Sequence, residues 1–402
     1  MSHEAVLLAG SLGLGHEMMA RCCTSLLEQS GWQARCLDSM ALLGSVGGRA
    51  GERLFHRLVE VPGLYDGLHF AHLRTGSRLA QLLDRMATAK LVPALRADLE
   101  RQPAELAFSV FATGASAAAQ IKREQPGLRT VVLCTDVSVH RIWAAEGTDL
   151  FLVTSPAAEE SVRRYLPRAN VAIVPPPVRT AFYAAPSQAE ARSRLGVPAQ
   201  SYCVLMIDSG WGFGPLLDIA CMLADAGVEV LAVAGRHRAT ERKLRELALV
   251  KPRIRPFGFT NRVPELMAAS DLVLALPGAT TCSEARVVGR QLILLDVMPG
   301  HGRDNLQHEL EQGGAHVSTP TAAGVAARAL ALRDQTSNAP APAPVPRWEP
   351  AYAAALRRIG IDVSAPVPVQ APRATVVTDG RATAQAGSTT VASHIGRGDN
   401  PT

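Results

Sequence analysis

Short runs of apolar residues recur along the chain and alternate with longer segments of helical periodicity. Strands buried on both faces of a parallel sheet have this continuous apolar character, whereas half-exposed strands alternate apolar and polar residues. The pattern therefore predicts an α/β protein with parallel sheets. The predicted strands are Ala5–Ala9, Ala34–Leu37, Leu106–Phe111, Thr130–Cys134, Leu150–Val153, Val171–Val174, Cys203–Ile207, Val228–Ala234, Leu272–Ala275 and Leu292–Leu295.

The strands fall into two groups, separated by the stiff segment Pro175-Pro176-Pro177-Val178-Arg179. We place the boundary near Ala184, which predicts one Rossmann-like domain over residues 1–183 and a second over residues 184–333. Residues 334–402 form a Pro/Ala-rich linker, one possible helix over 348–360 and a tail. After about Val363 the tail has little apolar mass, so we expect it to be disordered.

Composition narrows the class of protein. The chain has 402 residues, 47% of them hydrophobic, and a net charge of +5, which is globular and only mildly basic. Nucleic acid is not an expected partner, whereas an anionic membrane surface is compatible with this charge. The seven cysteines have no metal-type spacing and favour a reduced, cytoplasmic chain. We find no apolar run long enough to span a membrane and no signal peptide.

The segment from about Met40 to Leu99 has a helical pattern that mixes leucines and aromatic residues with several arginines. Basic-plus-apolar composition is what an interfacial segment needs, so we expect a peripheral contact with the inner face of the plasma membrane. Solvated arginines on an ordinary packed helix explain the same composition.

The first strand ends in a glycine-rich turn that leads into a helix. The turn contains Gly13 and Gly15, and His16 stands where a dinucleotide-binding fold would have its third glycine. The imidazole would crowd a pyrophosphate there, so NAD is disfavoured. On local evidence His16 can be a helix-capping histidine.

A second polar cluster follows the strand Thr130–Cys134. It contains Asp136, His140 and Trp143. The carboxyl ends of parallel strands open on one crevice, so Asp136 and His16 are expected to face each other there. Asp136 is then a candidate to orient His16 or to receive a proton. Its alternative role is to cap a following helix.

The second group of strands has its own polar turns. Gly210, Gly212 and Gly214 follow the strand Cys203–Ile207, and a glycine-rich turn before a helix can cradle phosphate. Arg236 follows the next strand and is a candidate phosphate partner or a plain surface arginine.

The turn after Leu272–Ala275 contains Gly278, Thr280 and Thr281, with Glu284 one helical turn later. Free N–H groups at a helix start suit a phosphate, and a carboxylate such as Glu284 can accept both hydroxyls of a ribose. The same Thr281–Glu284 spacing fits a capping box, in which the two side chains only close the helix start.

Taken in order, these motifs resemble the monogalactosyldiacylglycerol synthase and processive diacylglycerol glucosyltransferase family, which is related to the muramyl-lipid N-acetylglucosaminyltransferases. The resemblance covers scattered motifs from about Ala5 to Arg333. It implies the GT-B fold, in which two Rossmann-like domains with parallel sheets face each other. It also implies that Glu284 holds the uridine ribose and that the donor is a UDP-sugar, with no further cofactor. On the acceptor side it implies that the turn with Gly13 and Gly15 faces the cleft, that His16 handles the acceptor hydroxyl, and that His140 and Trp143 belong to the same side.

The resemblance assigns further donor-side residues. Phe257 and Phe259 correspond to a segment that packs on the uracil, and His301 and Asn305 lie in the loop that contacts the sugar. Two departures stand out. Trp211 replaces the family's usual acid and is expected to close the donor pocket or stack on a ligand. His301 and Gly302 replace the usual Gln-Glu pair.

The implied reaction is an inverting transfer of a hexose to a diacylglycerol-like lipid. The chain has no Asp-x-Asp pair, so we expect helix N-termini rather than a metal ion to stabilise the leaving UDP. His16 is the first candidate for the base and Asp136 the second. Another acceptor, such as a polyprenyl-linked sugar or a secondary metabolite, remains open, as does a degenerate module that binds a nucleotide sugar without turnover.

Overall fold

The structure, a computed structural model, describes residues 3–10, 14–43, 66, 68–208, 215–297, 299–335 and 345–363. Within these residues the chain forms two six-stranded sheets, and every strand pair is parallel. The predicted α/β architecture is confirmed. The domain boundaries near 183 and 333 stay predictions, and the expected disordered tail lies outside the described residues.

The first sheet has the strand order β2-β1-β3-β4-β5-β6. Two of its inner strands, Leu106–Ser109 and Leu150–Val153, are buried along their whole length, as continuous apolar runs require. The strands are β1 (His3–Ala9), β2 (Trp32–Asp38), β3 (Leu106–Ser109), β4 (Arg129–Leu133), β5 (Leu150–Val153) and β6 (Val171–Ile173).

The second sheet has the order β12-β11-β10-β7-β8-β9. Its strands are β7 (Cys203–Ile207), β8 (Glu229–Val233), β9 (Ile254–Phe257), β10 (Leu272–Ala275), β11 (Gln291–Leu294) and β12 (Ala315–Val317). The hydrophobic pattern missed β9 and β12. Both are edge strands, and their polar and proline residues, such as Pro256 in β9, are tolerated only at an edge.

Helices connect the strands in both halves. They are α1 (Leu14–Gln29), α2 (Ser39–Leu42), α3 (Arg78–Arg101), α4 (Ala112–Glu124), α5 (Pro156–Tyr165), α6 (Thr180–Tyr183), α7 (Gln188–Leu195), α8 (Leu216–Asp225), α9 (Arg238–Val250), α10 (Val263–Ala269), α11 (Ala279–Val288), α12 (His301–Glu311), α13 (Ala322–Gln335) and α14 (Glu349–Arg357). A single π-helical turn, His69–Leu73, precedes α3. Such turns are rare in proteins, and those that occur often lie at functional sites.

Each sheet has a point at which the chain reverses its direction of growth. In the first sheet β1 lies between β2 and β3, and in the second sheet β7 lies between β8 and β10. Ligands of open α/β sheets bind outside the carboxyl ends of the strands at these switch points. The turns after β1 and β3, and those after β7 and β10, are therefore where a site is expected.

The C-terminal helix packs back on the first half of the chain, as expected for the helix predicted over 348–360. The indole N–H of Trp348 donates to the carbonyl of Val178 at 2.8 Å, and that of Trp32 donates to Asp362 at 3.2 Å. Tyr352 of α14 is fully buried in a core that includes Cys22 and other residues of α1. These contacts fix the segment Val178-Arg179 that precedes α6.

Candidate active site

His16 lies in the first turn of α1, at the switch point of the first sheet. Its Nδ1 is 3.0 Å from the carbonyl oxygen of Val110, which follows β3. A carbonyl only accepts, so Nδ1 bears the proton and Nε2 has the free lone pair of the neutral ring. Burial lowers the pKa of His16, although nearby Asp136 opposes the shift. The imidazole bonds across the switch point rather than capping its own helix, and it is neutral at pH 7.

Asp136 lies in the same crevice, three residues after β4. Its Oδ2 accepts a hydrogen bond of 3.0 Å from the indole N–H of Trp143, and His140 Nε2 is 3.9 Å from the same oxygen. Burial alone would raise the pKa of Asp136. The neighbouring histidines and the indole N–H outweigh that effect, so its pKa lies below the ordinary value and the group is ionised at neutral pH. No helix follows within residues 137–149, so the helix-cap alternative is wrong.

Trp143 packs between His16 and His140. Its ring centroid is 6.4 Å from that of His16 and 6.3 Å from that of His140, and the indole is fully buried. Burial lowers the pKa of His140 to about 4, against the opposing charge of Asp136. The crevice therefore combines neutral imidazoles with one ionised carboxylate.

His69 is a residue of this cluster that the sequence did not reveal. It belongs to the π-helical turn and is fully buried, with its ring centroid 6.2 Å from His140 and 6.0 Å from His301. Its Nε2 is 3.8 Å from Oδ2 of Asp304 in α12. His69 is one of three histidines in a segment rich in arginine and aromatic residues, which periodicity analysis assigns to an ordinary helix, so nothing in the sequence singled it out.

The start of α12 meets the first half of the chain at this crevice. Asn305 accepts a hydrogen bond of 3.2 Å from the backbone N–H of Val137, and Asp66 accepts one of 2.6 Å from Gly300 N–H. Burial lowers the pKa of His301, although Asp136 and Asp304 oppose the shift. His301 and Asn305 thus lie beside Asp136, and the role of both in contacting a sugar stays a prediction.

The helix start at Gly278 faces the helix start at Gly15. Helix α11 begins at Ala279 with Gly278 as its N-cap residue, and no side chain caps it. Thr280 Oγ1 donates to the carbonyl of Gly15 at 3.4 Å. Thr281 lies inside the helix, so the capping-box alternative for Thr281 and Glu284 is wrong. The uncapped N–H groups at the start of α11 have the geometry and dipole that bind phosphate oxygens.

Glu284 is 3% exposed and pairs with Arg179, which ends the segment Pro175-Pro176-Pro177-Val178-Arg179 between the two groups of strands. Arg179 Nε and Nη2 each lie 2.8 Å from Glu284 Oε1. Burial raises the pKa of Glu284 to about 7, against the opposing charge of Arg179. That Glu284 is a site residue stays a prediction from the sequence, which did not reveal the contact with Arg179.

Arg236 and Phe259 lie against each other near the start of α1. The Arg236 guanidinium lies 4.9 Å from the Phe259 ring centroid and 3.2 Å from Glu17 Oε2 on α1. Phe259 is 50% exposed, whereas Phe257 ends β9 and packs against the core. Phe259 is therefore the more exposed of the two rings predicted to pack on the uracil. Arg236, which was predicted to bind a phosphate, instead contacts the carboxylate of Glu17.

Several predicted residues lie outside the described residues, namely Gly13, Gly210, Trp211, Gly212 and Gly214. Among the residues that the structure does describe, no group of three or more His, Cys, Asp or Glu side chains is placed to hold a metal ion. Within the same part of the chain, no helix has the length and apolar content to cross a membrane.

Comparison with known proteins relates this geometry to a family. Residues 217–318 match the glycosyltransferase family 28 C-terminal domain. The chain is 25% identical over 192 residues to a processive diacylglycerol beta-glucosyltransferase of Bacillus pumilus, covering 47% of this chain and 50% of that protein. It is 27% identical over 210 residues to a probable chloroplastic monogalactosyldiacylglycerol synthase of Glycine max, covering 48% and 39%. The chain thus spans about half or less of these curated relatives.

Among solved structures, HepE of Anabaena in complex with UDP-glucose has a TM-score of 0.53 and 16% identity, with 88% of this chain and 95% of that chain covered. This likeness concerns the fold. Together with the two parallel sheets it confirms the expected GT-B class. The resemblance to diacylglycerol glucosyltransferases and monogalactosyldiacylglycerol synthases is also confirmed.

Proposed function

We propose that this chain is a glycosyltransferase that moves a hexose from a UDP-sugar to a hydroxyl of a diacylglycerol-like lipid, with inversion and without a metal ion. The observation that carries the proposal is the opposition of two half-sites. A neutral His16 with a free Nε2 lone pair lies at the switch point of the first sheet, and the uncapped start of α11 lies at that of the second. Relatives named as lipid glycosyltransferases support the substrate class.

In this proposal His16 is the general base. The acceptor oxygen attacks the anomeric carbon while its proton passes to Nε2 of His16, and the bond from that carbon to the UDP oxygen breaks. The imidazolium formed is stabilised by the ionised Asp136, which shares the crevice. Val110 holds the ring in the tautomer that leaves Nε2 free.

The departing UDP gains negative charge, and the start of α11 supports its stabilisation. The N–H groups that follow Gly278 have no capping side chain, and Arg236 lies at the edge of the same cleft. Such preorganised donors act without reorganisation when charge develops. The nucleotide ribose would bind at Glu284 and the base against Phe259.

A lipid acceptor requires access to a membrane, and α3 offers a suitable face. Its side chains at i, i+3, i+4 and i+7 are apolar yet between 41% and 56% exposed, and the arginines beside them are exposed as well. An amphipathic helix of this type binds the interface of an anionic bilayer. We therefore propose peripheral attachment through α3, by Leu79, Leu82, Leu83 and Met86.

The test is an incubation of purified full-length protein with a panel of radiolabelled UDP-sugars and a lipid extract. We expect one UDP-sugar to label a lipid product whose anomeric configuration is opposite to that of the donor. If sugar is transferred to a polyprenyl-linked sugar or a small metabolite and not to diacylglycerol, the proposed acceptor is wrong and the enzyme acts on that other compound. If the protein binds UDP but transfers sugar to no acceptor, it is a nucleotide-sugar-binding module and not an enzyme.

A further inference from the structure

The π-helical turn that precedes α3 is anchored to the first half of the chain. The N–H of Arg74 donates to the carbonyl of His69 at 2.8 Å, which is the bond that closes the turn. Two neighbours hold its far end, because Arg141 N–H donates to the Leu73 carbonyl at 3.2 Å and the Tyr165 hydroxyl donates to the Arg74 carbonyl. The turn therefore presents its side chains to the crevice from a fixed backbone.

Both ends of this turn reach one carboxylate of the second half. Nε2 of His69 lies 3.8 Å from Oδ2 of Asp304, and Nη1 of Arg74 lies 3.5 Å from Oδ1 of the same group. Asp304 belongs to the first turn of α12. Burial raises the pKa of Asp304, but His69, Arg74 and Ser138 outweigh that effect and hold it below the ordinary value. An ionised carboxylate thus lies between the two ends of the turn.

The segment that leads into α12 is also held by the first half. Gly300 N–H donates to Asp66 at 2.6 Å, and the same carboxylate pairs with Arg303 at 3.2 Å. Val137 N–H donates to Asn305 at 3.2 Å. Gly300 has a φ of 64°, which glycine adopts without strain. The start of α12 is therefore placed by contacts with the first half as well as by its own sheet.

These contacts determine where His301 lies. Its ring centroid is 6.0 Å from that of His69. Burial raises the pKa of Asp136, and the strongest influence that lowers it is His301. A shift of α12 would move His301 away from Asp136, whereas the turns that follow β7 and β10 would stay in place.

We propose that His69 is a positioning residue, which acts through Asp304 to hold the start of α12 so that the hexose of the donor is placed between the two halves. This inference rests on the proposed function, since it presupposes a UDP-sugar donor. It adds that the half of the chain with the proposed base also sets where the donor sugar lies. The nucleotide itself does not depend on this contact.

Substitutions of His69 separate sugar placement from nucleotide binding. His69→Phe keeps a ring that can pack against Phe70 and His140 but has no nitrogen to face Asp304. Misplacement of a reacting group by about 1 Å costs about 10²-fold in rate, so we expect kcat to fall about 10- to 100-fold. UDP affinity should stay within about twofold. His69→Gln offers an amide N–H to Asp304 and should recover kcat to within about fivefold of native.

The experiment measures kcat and donor KM with radiolabelled UDP-glucose and UDP-galactose and a lipid extract, and UDP affinity by calorimetry, all on full-length protein. Asp304→Asn removes the charge on the other side of the contact and should lower kcat in the same way, so the test does not depend on one variant. Thermal unfolding shows whether each variant is folded. His72→Phe is the matched control, because His72 lies in the same turn but contacts Ser77 at the start of α3, at 3.1 Å. It should keep the native kcat.

The double variant His69→Phe with Asp304→Asn tests whether one residue acts through the other. Its kcat should be within about threefold of that of His69→Phe, whereas two losses that multiply would overturn the proposal. A folded His69→Phe protein with native kcat would also overturn it, as would a His69→Gln protein without recovery. Loss of UDP affinity in parallel with kcat would reduce His69 to a support of the fold. Native protein that transfers sugar from neither donor would instead refute the proposed function.

Discussion

His16→Asn tests the proposed base with little disturbance of the fold. The asparagine amide occupies the position of Nδ1 and can still donate to the Val110 carbonyl, whereas the atom that replaces Nε2 is lost. His16→Ala removes both. The comparison therefore separates the base from the hydrogen bond that orients it.

The expected size of the effect follows from the contacts of the ring. Loss of a general base lowers turnover by about 10²–10⁴-fold, or about 2.7–5.5 kcal/mol in the activation free energy. We expect this loss in both variants. His16→Ala also loses the bond to Val110, which costs about 0.5–1.5 kcal/mol of folding free energy. It leaves a gap beside Phe111 as well, whose ring centroid is 5.1 Å from the imidazole.

The assay measures turnover with the labelled donor and, separately, UDP affinity by calorimetry. UDP affinity should stay within about twofold of the native value in both variants, because the residues proposed to bind the nucleotide follow strands of the second sheet. Turnover should also have a characteristic pH profile. Burial lowers the pKa of His16, so native turnover should be level through neutral pH and fall only as the ring is protonated in acid. The residual activity of His16→Asn should lack this fall.

A folded His16→Asn protein with nearly full activity would refute the assignment of His16 as the base. Asp136 would then be the better candidate, and Asp136→Asn would be expected to abolish turnover. If His16 is the base, Asp136→Asn should lower turnover by a smaller factor, because it removes only the charge that stabilises the imidazolium. The two variants thus rank the two candidates.

Three further outcomes are expected. Glu284→Gln should weaken UDP binding by about 1.5–3 kcal/mol, measured by calorimetry, and an unchanged affinity would remove Glu284 from the site. Transfer activity should survive EDTA, whereas loss in chelator with recovery in manganese would contradict stabilisation of UDP by helix N-termini. Leu82→Glu with Met86→Glu should reduce sedimentation with anionic vesicles. Leu249→Glu, at an 87% exposed apolar position on α9, should leave sedimentation unchanged, and equal loss in both would argue against α3 as the membrane face.

The hydrophobic pattern predicted the inner strands of both sheets because those strands are buried on both faces and have few polar residues. The carboxyl-end rule predicted that His16 and Asp136 lie at one edge of the sheet, and in the structure both lie beside Trp143, while their roles stay predictions. The pattern also predicted the edge strands β2 and β6 of the first sheet, but it missed the edge strands β9 and β12 of the second, because an unpaired edge tolerates residues such as Pro256.

Contacts between distant segments could not be predicted in the same way. Arg179 and Glu284 are 105 positions apart, and nothing in either local sequence identifies the other. The same holds for His69, which joins Asp304 from a π-helical turn that has no periodic signal. Local patterns report which face of an element is buried, whereas such pairs depend on how whole elements are placed.

The return of α14 to the first sheet determines when that half of the chain can be completed during synthesis. Chains emerge from the ribosome amino terminus first, and domains generally fold as they appear. Here the face of α1 that contains Cys22 is covered by Tyr352, which is made after both sheets. The carbonyl oxygen of Val178 likewise gains its hydrogen bond from the Trp348 indole only after Trp348 has been synthesised. The first-made half therefore keeps an apolar face open until α14 has been synthesised, so the amino-terminal half closes only after both sheets have been made.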